Sequence, residues 1–183
     1  MTGGADSGGP PRAAMIAALA LAVLTIVAIL ALAAIRHTSG QPVTLPAAPA
    51  PQAGSPACQA LMAALPKRLG DFQRAELAHP APESASAWRS GTATEPVVMR
   101  CGLERPAEFV VGTPIQVVDK VQWFEVAEQG SLEEGKSTWY TVDRPVYVAI
   151  TLPANSGPVP IQDLSGVIDR TIAAVPIDPA PTR

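Results

Sequence analysis

Residues 130–137 of this 183-residue chain, Gly130-Ser-Leu-Glu-Glu-Gly135-Lys136-Ser137, meet the phosphate-loop spacing GxxxxGK[ST], in which backbone N–H groups and a lysine cradle phosphate oxygens. That chemistry requires the motif to open a helix, so that the helix N-terminus faces the anion. Here Ser137 leads instead into Thr138-Trp139-Tyr140-Thr141-Val142, a β-branched and aromatic run that favours a strand. Glu133 and Glu134 would also put two negative charges inside the cradle, so the segment reads as a solvated hairpin loop. As an acid–base pair the same two glutamates gain no burial that would separate their pKa values. His79, between Ala78 and Pro80, has no serine or cysteine nucleophile pattern beside it and reads as a turn residue. HExxH, GxSxG, CxxC and EF-hand patterns do not occur. No catalytic residue, cofactor or metal ligand is assigned, and the chain is not expected to be an enzyme.

The two cysteines, Cys58 and Cys101, fit a disulfide in an oxidising compartment better than a metal site or a redox centre, because they lack CxxC spacing and the chain has two histidines in all. Closing a loop of about 44 residues would stabilise the fold by roughly 4 kcal/mol. Two buried thiols in a cytosolic domain are the alternative. A second group of interest is aromatic: Trp123, Phe124, Trp139, Tyr140 and Tyr147 fall in adjacent strand-like segments. Trp139, Tyr140 and Tyr147, with Asp143 and Arg144, make the candidate interaction surface, suited to a peptide, a glycan or a protein. The competing reading puts these aromatics in the core and Asp143-Arg144 in a simple turn.

Residues 13–35 carry no charge and lie between Arg12 and Arg36. As a helix they rise roughly 35 Å, enough to cross a bilayer core of about 30 Å. The run exceeds the 7–15 apolar residues usual for a secretory signal, so a retained anchor is preferred to cleavage after Ala31-Leu32-Ala33. One arginine on each side leaves orientation undecided by charge. The cysteine pair and the Pro/Ala-rich stretch after the span place residues 1–12 inside as a cytoplasmic tail and the bulk outside the cytoplasmic membrane.

Residues 36–57 then read as a Pro/Ala-rich linker, a spacer of at most about 65 Å in polyproline geometry. Residues 58–176 have the size of one domain, and 177–183 read as a frayed tail. From residue 58 onward 11 basic and 15 acidic side chains give a net charge of 11 − 15 = −4, which argues against a nucleic-acid partner.

Within the domain, Cys58, Leu61, Met62 and Leu65 predict a helix stopped at Pro66. A weak strand is expected over 72–77, a loop over 79–96 containing Trp88, and a buried strand over 97–101. Segments 115–118, 121–128, 137–143 and 146–152 predict an antiparallel meander, with Val146, Val148, Ile150 and Leu152 facing a core. Pro145 leaves the register of the last hairpin open. Ile161, Leu164, Ile168, Ile172 and Val175 predict an amphipathic helix over 161–175. The expected fold class is α+β, an antiparallel sheet of about 4–6 strands with an N-terminal and a C-terminal helix packed on it, preceded by one transmembrane helix.

The runs Cys58–Leu69 (CQALMAALPKRL), Pro96–Gly102 (PVVMRCG) and above all Trp139–Leu152 (WYTVDRPVYVAITL) resemble the actinobacterial envelope family called domain of unknown function 3515. The resemblance spans about residues 57–176, implies an anchored or exported protein of actinobacterial type, and supports pairing of Cys58 with Cys101. It carries no activity and no catalytic residue. Two function classes follow. One is a non-enzymatic binding or scaffold module of the cell envelope, touching the bilayer through residues 13–35 and an envelope protein or wall polymer through its sheet face or the hairpin around Asp143 and Arg144; the other is an accessory enzyme of cell-wall metabolism. The oligomeric state is left open.

Overall fold

The computed structural model describes residues 12–40, 42–91, 95–127 and 135–182, which fall into two compact units, Met1–Thr38 and Ser39–Arg183. The first is built on helix α1 (Arg12–Gly40). Its segment Ala13–Ala33 is long and apolar enough to cross a membrane.

Among its described residues the second unit holds one sheet of eight strands: β1 (Arg68–Leu69), β2 (Phe72–Ala75), β3 (Ala85–Arg89), β4 (Val97–Leu103), β5 (Gln116–Val118), β6 (Val121–Ala127), β7 (Ser137–Thr141) and β8 (Tyr147–Leu152). They lie in the order β1-β2-β3-β4-β8-β7-β6-β5, every neighbouring pair antiparallel. The sheet thus exceeds the expected 4–6 strands. β3 runs through the stretch read from sequence as a loop, where Trp88 is fully buried and donates its indole N–H to the Pro66 carbonyl at 3.1 Å. Prolines and serines on either side of Ala85–Arg89 hide a strand whose hydrogen bonds come from β2 and β4.

Helices α2 (Pro56–Ala64) and α3 (Val159–Thr171) contribute to the same core. Ser55 caps α2 by accepting from the Cys58 N–H, and proline takes the first position, where its missing donor costs nothing. Leu61 from α2 and Leu164 and Ile168 from α3 bury against Trp88, Met99, Trp123, Val148 and Ile150. Trp123 donates to the Ser165 hydroxyl at 3.0 Å, which satisfies a buried indole and ties β6 to α3. A disulfide joins Cys58 on α2 to Cys101 on β4.

The hairpin left open around Pro145 is set by a side chain. Ladder pairing ends at Tyr140↔Ala149, and beyond it the Thr141 hydroxyl accepts from the Val148 N–H at 3.0 Å. Pro145 is exposed outside the ladder and needs no positive φ.

Two segments expected to be free are parts of the fold. Residues 43–55, read as spacer, form a strap over the sheet face opposite the helices. Val43 is buried and makes a parallel bridge to Leu77, and Gln52 donates its N–H to the Gly102 carbonyl at 3.0 Å. The tail is also held: Ala180 bridges Val110, and Arg105 reaches the Asp178 backbone carbonyl at 3.1 Å. Both segments satisfy backbone groups that periodicity in sequence cannot reveal.

Candidate functional site

Strand alternation makes the two sheet faces unlike. The helix side carries Trp88, Met99, Val148 and Ile150. The opposite side, followed across the register Ala85↔Arg100↔Ala149↔Tyr140 and Ala87↔Val98↔Thr151↔Thr138, sets Arg100 and Tyr140 among alanines, a valine and two threonines. At one end of this face Phe124 meets Phe109, ring centroids 5.5 Å apart, with Val142 in the same cluster. At the other end lies the strap. A groove of about 560 Å³ lies along the strap, walled by Val43, Leu45 and Pro46, with Arg100, Tyr140, Thr138 and Thr151 on its sheet side and Arg89, Glu95 and Lys136 also lining it.

Arg100 lines this groove. Its Cα partners are Ala85 and Ala149, both too small to crowd it, and its Nη2 donates to the Pro46 carbonyl at 2.8 Å. Partial burial pulls its guanidinium below the ordinary arginine pKa, an effect opposed by nearby Tyr140. Thr138 and Thr151 join hydroxyls across β7–β8 at 2.9 Å, presenting a polar pair on the floor. A second cavity of about 540 Å³ flanks the strap and shares Leu45, Arg100 and Leu103 with the first, with His79 and Glu83 among its other walls. Among the described residues, no group of three or more His, Cys, Asp or Glu is placed to hold a metal ion.

The five residues proposed from sequence as one interaction surface are dispersed. Trp139 and Tyr140 point to opposite faces: Trp139 packs partly against the helix-side core and donates to the Ser137 hydroxyl, whereas Tyr140 lines the groove. Tyr147 packs against the Phe109–Phe124 cluster, where burial raises its phenol pKa; neighbouring Arg105 opposes that shift and Asp178 adds to it.

Asp143 and Arg144 are buried, at 3% and 4% exposure, and cannot present a surface. Arg144 Nη1 meets Asp143 Oδ2 at 2.8 Å while Nη2 reaches the Lys120 carbonyl at 3.2 Å and Asp169 Oδ1 on α3 at 3.5 Å. The charged turn therefore locks the β7–β8 hairpin to the helix.

Of the motif fragment 130–137, residues 130–134, with Glu133 and Glu134, lie outside the described residues, and Ser137 opens a strand. Among the described residues the motif therefore leads into β7 and not into the helix N-terminus that nucleotide binding by it needs. Sequence reasoning overlooked Arg100, Arg89 and the strap; the position of Arg100 between buried Met99 and Cys101 was the available sign of a side chain aimed away from the helix-side core.

The family model described as "Protein of unknown function (DUF3515)" matches residues 19–177. The chain belongs to this family. The match starts inside the apolar segment and runs through the strap, so it covers more than the 57–176 suggested by the similar sequence runs. Searches of curated proteins and of solved structures gave no match.

Proposed function

We propose that this DUF3515 protein is a single-pass protein of the cytoplasmic membrane, N-terminus inside, whose outer domain is a non-enzymatic binding module of the cell envelope. Its ligand site is the groove between the strap and the sheet face beneath it. That groove is the observation that carries the reading, because a preformed trough with convergent polar groups is what a binding site requires. The disulfide supports an oxidising, extracytoplasmic compartment, and helix α1 supports the anchor. Among the described residues lining the groove, Glu95 is the single carboxylate, which favours binding over a two-carboxylate hydrolytic mechanism.

A photoreactive residue placed at Thr138 or Tyr140 of the full-length chain in cells should trap an envelope component, and one at exposed Val117 on the far edge strand should not. Equal trapping from all three positions, or from none, would count against the groove. A C-terminal reporter active only inside the cell would overturn the orientation.

A further inference from the structure

We infer that strap residues 44–51 form a lid over the groove, latched by the hydrogen bond from Arg100 to Pro46 and opening about two fixed roots. The inference adds regulation to the binding-module reading and rests on it. The first root is Val43, which is buried; its N–H donates to the Glu76 carbonyl at 2.7 Å and its carbonyl accepts from the Ala78 N–H at 2.9 Å. The second is the Gln52–Ala53 peptide. Gln52 donates to the Gly102 carbonyl, buried Ala53 accepts from the Ser84 hydroxyl at 2.6 Å, and the Ser84 carbonyl in turn accepts from the Cys101 N–H at 2.9 Å. The Cys58–Cys101 disulfide then fastens the chain to the same strand.

Between the roots the chain is held differently. Pro46, Ala47, Ala48 and Pro49 are exposed, and among the described residues one hydrogen bond holds residues 44–49, from Arg100 Nη2 to the Pro46 carbonyl at 2.8 Å. Pro46, Pro49 and Pro51 have no N–H and fix φ, so the arch stays extended and swings as a stiff piece instead of collapsing onto the sheet. Lifting it breaks one charge-assisted bond, whose Pro46 oxygen passes to water, while both roots keep theirs.

The arch also stands where a lid must. The cavities of about 560 and 540 Å³ share Thr44, Leu45 and Ala48 of the strap together with Arg100 and Leu103 of β4. The strap is thus the partition between them, and raising it joins them into one trough. A ligand that brings an oxygen acceptor to Arg100 takes over the bond that Pro46 held, so occupancy of the trough and the open position favour each other.

The test uses the full-length oxidised chain in a non-ionic detergent. Both native cysteines are in the disulfide, so spin labels attach to introduced thiols alone. One label goes on Ala48→Cys and the other on Gln162→Cys of α3, both exposed and on opposite sides of the sheet, so a lifted arch lengthens the distance read by double electron–electron resonance. With Arg100 in place a principal distance and a longer minor one are expected. Arg100→Met should raise the ratio of longer to shorter about tenfold, with Arg100→Lys, which keeps a donor, in between. Labels at Gln52→Cys and Gln162→Cys, which read the second root, should give one unchanged distance in all three backgrounds. Without spin labels, Thr151→Cys on the sheet side of the groove should react with a bulky maleimide at a rate that rises from Arg100 to Arg100→Lys, following the longer population.

Near-UV circular dichroism checks that each variant is folded. A single distance from Ala48 in every background, the same lengthening at Gln52, or a Thr151→Cys rate indifferent to the position of the strap would overturn the inference. Groove crosslinks in cells together with any of these results would leave the binding module standing and remove its lid.

Discussion

Gln52 donates its backbone N–H to the Gly102 carbonyl at 3.0 Å, and the same approach fills the space where a Cβ on residue 102 would stand. Gly102 has φ +85°, beside the register shift between Cys101 and Leu103, so the bulge in β4 turns the backbone toward the strap. Gly102→Ala would combine left-handed strain with overlap against the Gln52–Ala53 peptide. A loss of about 3 kcal/mol is expected in thermal unfolding. Faster proteolysis between residues 43 and 52 would show that the strap has come away; a variant with unchanged strap protection would contradict this account.

The Cys58–Cys101 bond ties α2 to the centre of the sheet across a sequence separation of 43. Reduction, or replacement of both cysteines by alanine, should lower the unfolding free energy by about 2–4 kcal/mol, read from urea titrations with and without reductant. Identical urea midpoints in the two conditions would deny the bond a stabilising role.

Arg144→Met should cost about 3 kcal/mol, because it strands the Asp143 carboxylate without its cation in the interior. The pair itself is incompletely bonded: Asp143 Oδ1 and Arg144 Nε have no hydrogen-bond partner among the described residues. Replacing both, as Asp143→Leu with Arg144→Met, should therefore recover most of the loss. A double-mutant cycle with no coupling would refute the pairing.

Tyr147 gives a prediction in pH. Burial raises its phenol pKa above 10.0, so in the alkaline range the unfolded chain releases this proton before the folded one does. Stability should be unaffected by this group below the ordinary tyrosine value of about 10 and decline as pH rises from there toward the folded pKa. Tyr147→Phe removes that part of the decline. The difference between wild-type and Tyr147→Phe absorbance titrations at alkaline pH should place the midpoint above 10.0, and a midpoint at or below it would reverse the sign.

Local signals carried part of this protein. Uncharged residues in a row determined the apolar helix, and steps of three and four residues located α2 and α3. Alternation from Val146 to Leu152 marked the buried side of β8, whose Val148 and Ile150 are fully covered. These features belong to one segment at a time, so periodicity is enough. Tertiary structure alone decided the rest. Arg100 and Pro46 are 54 residues apart, and the groove exists because the first lies among alanines while the second is laid over it. Trp139 and Tyr140 are adjacent in sequence, yet β pleating sends them to opposite faces. Asp143 and Arg144 look like an exposed turn until α3 and the backbone after it close over them, with the Val175 N–H on the Asp143 carbonyl at 2.9 Å. A site made of partners distant along the chain leaves no period in the sequence, because its energy comes from contacts between segments rather than from any one of them.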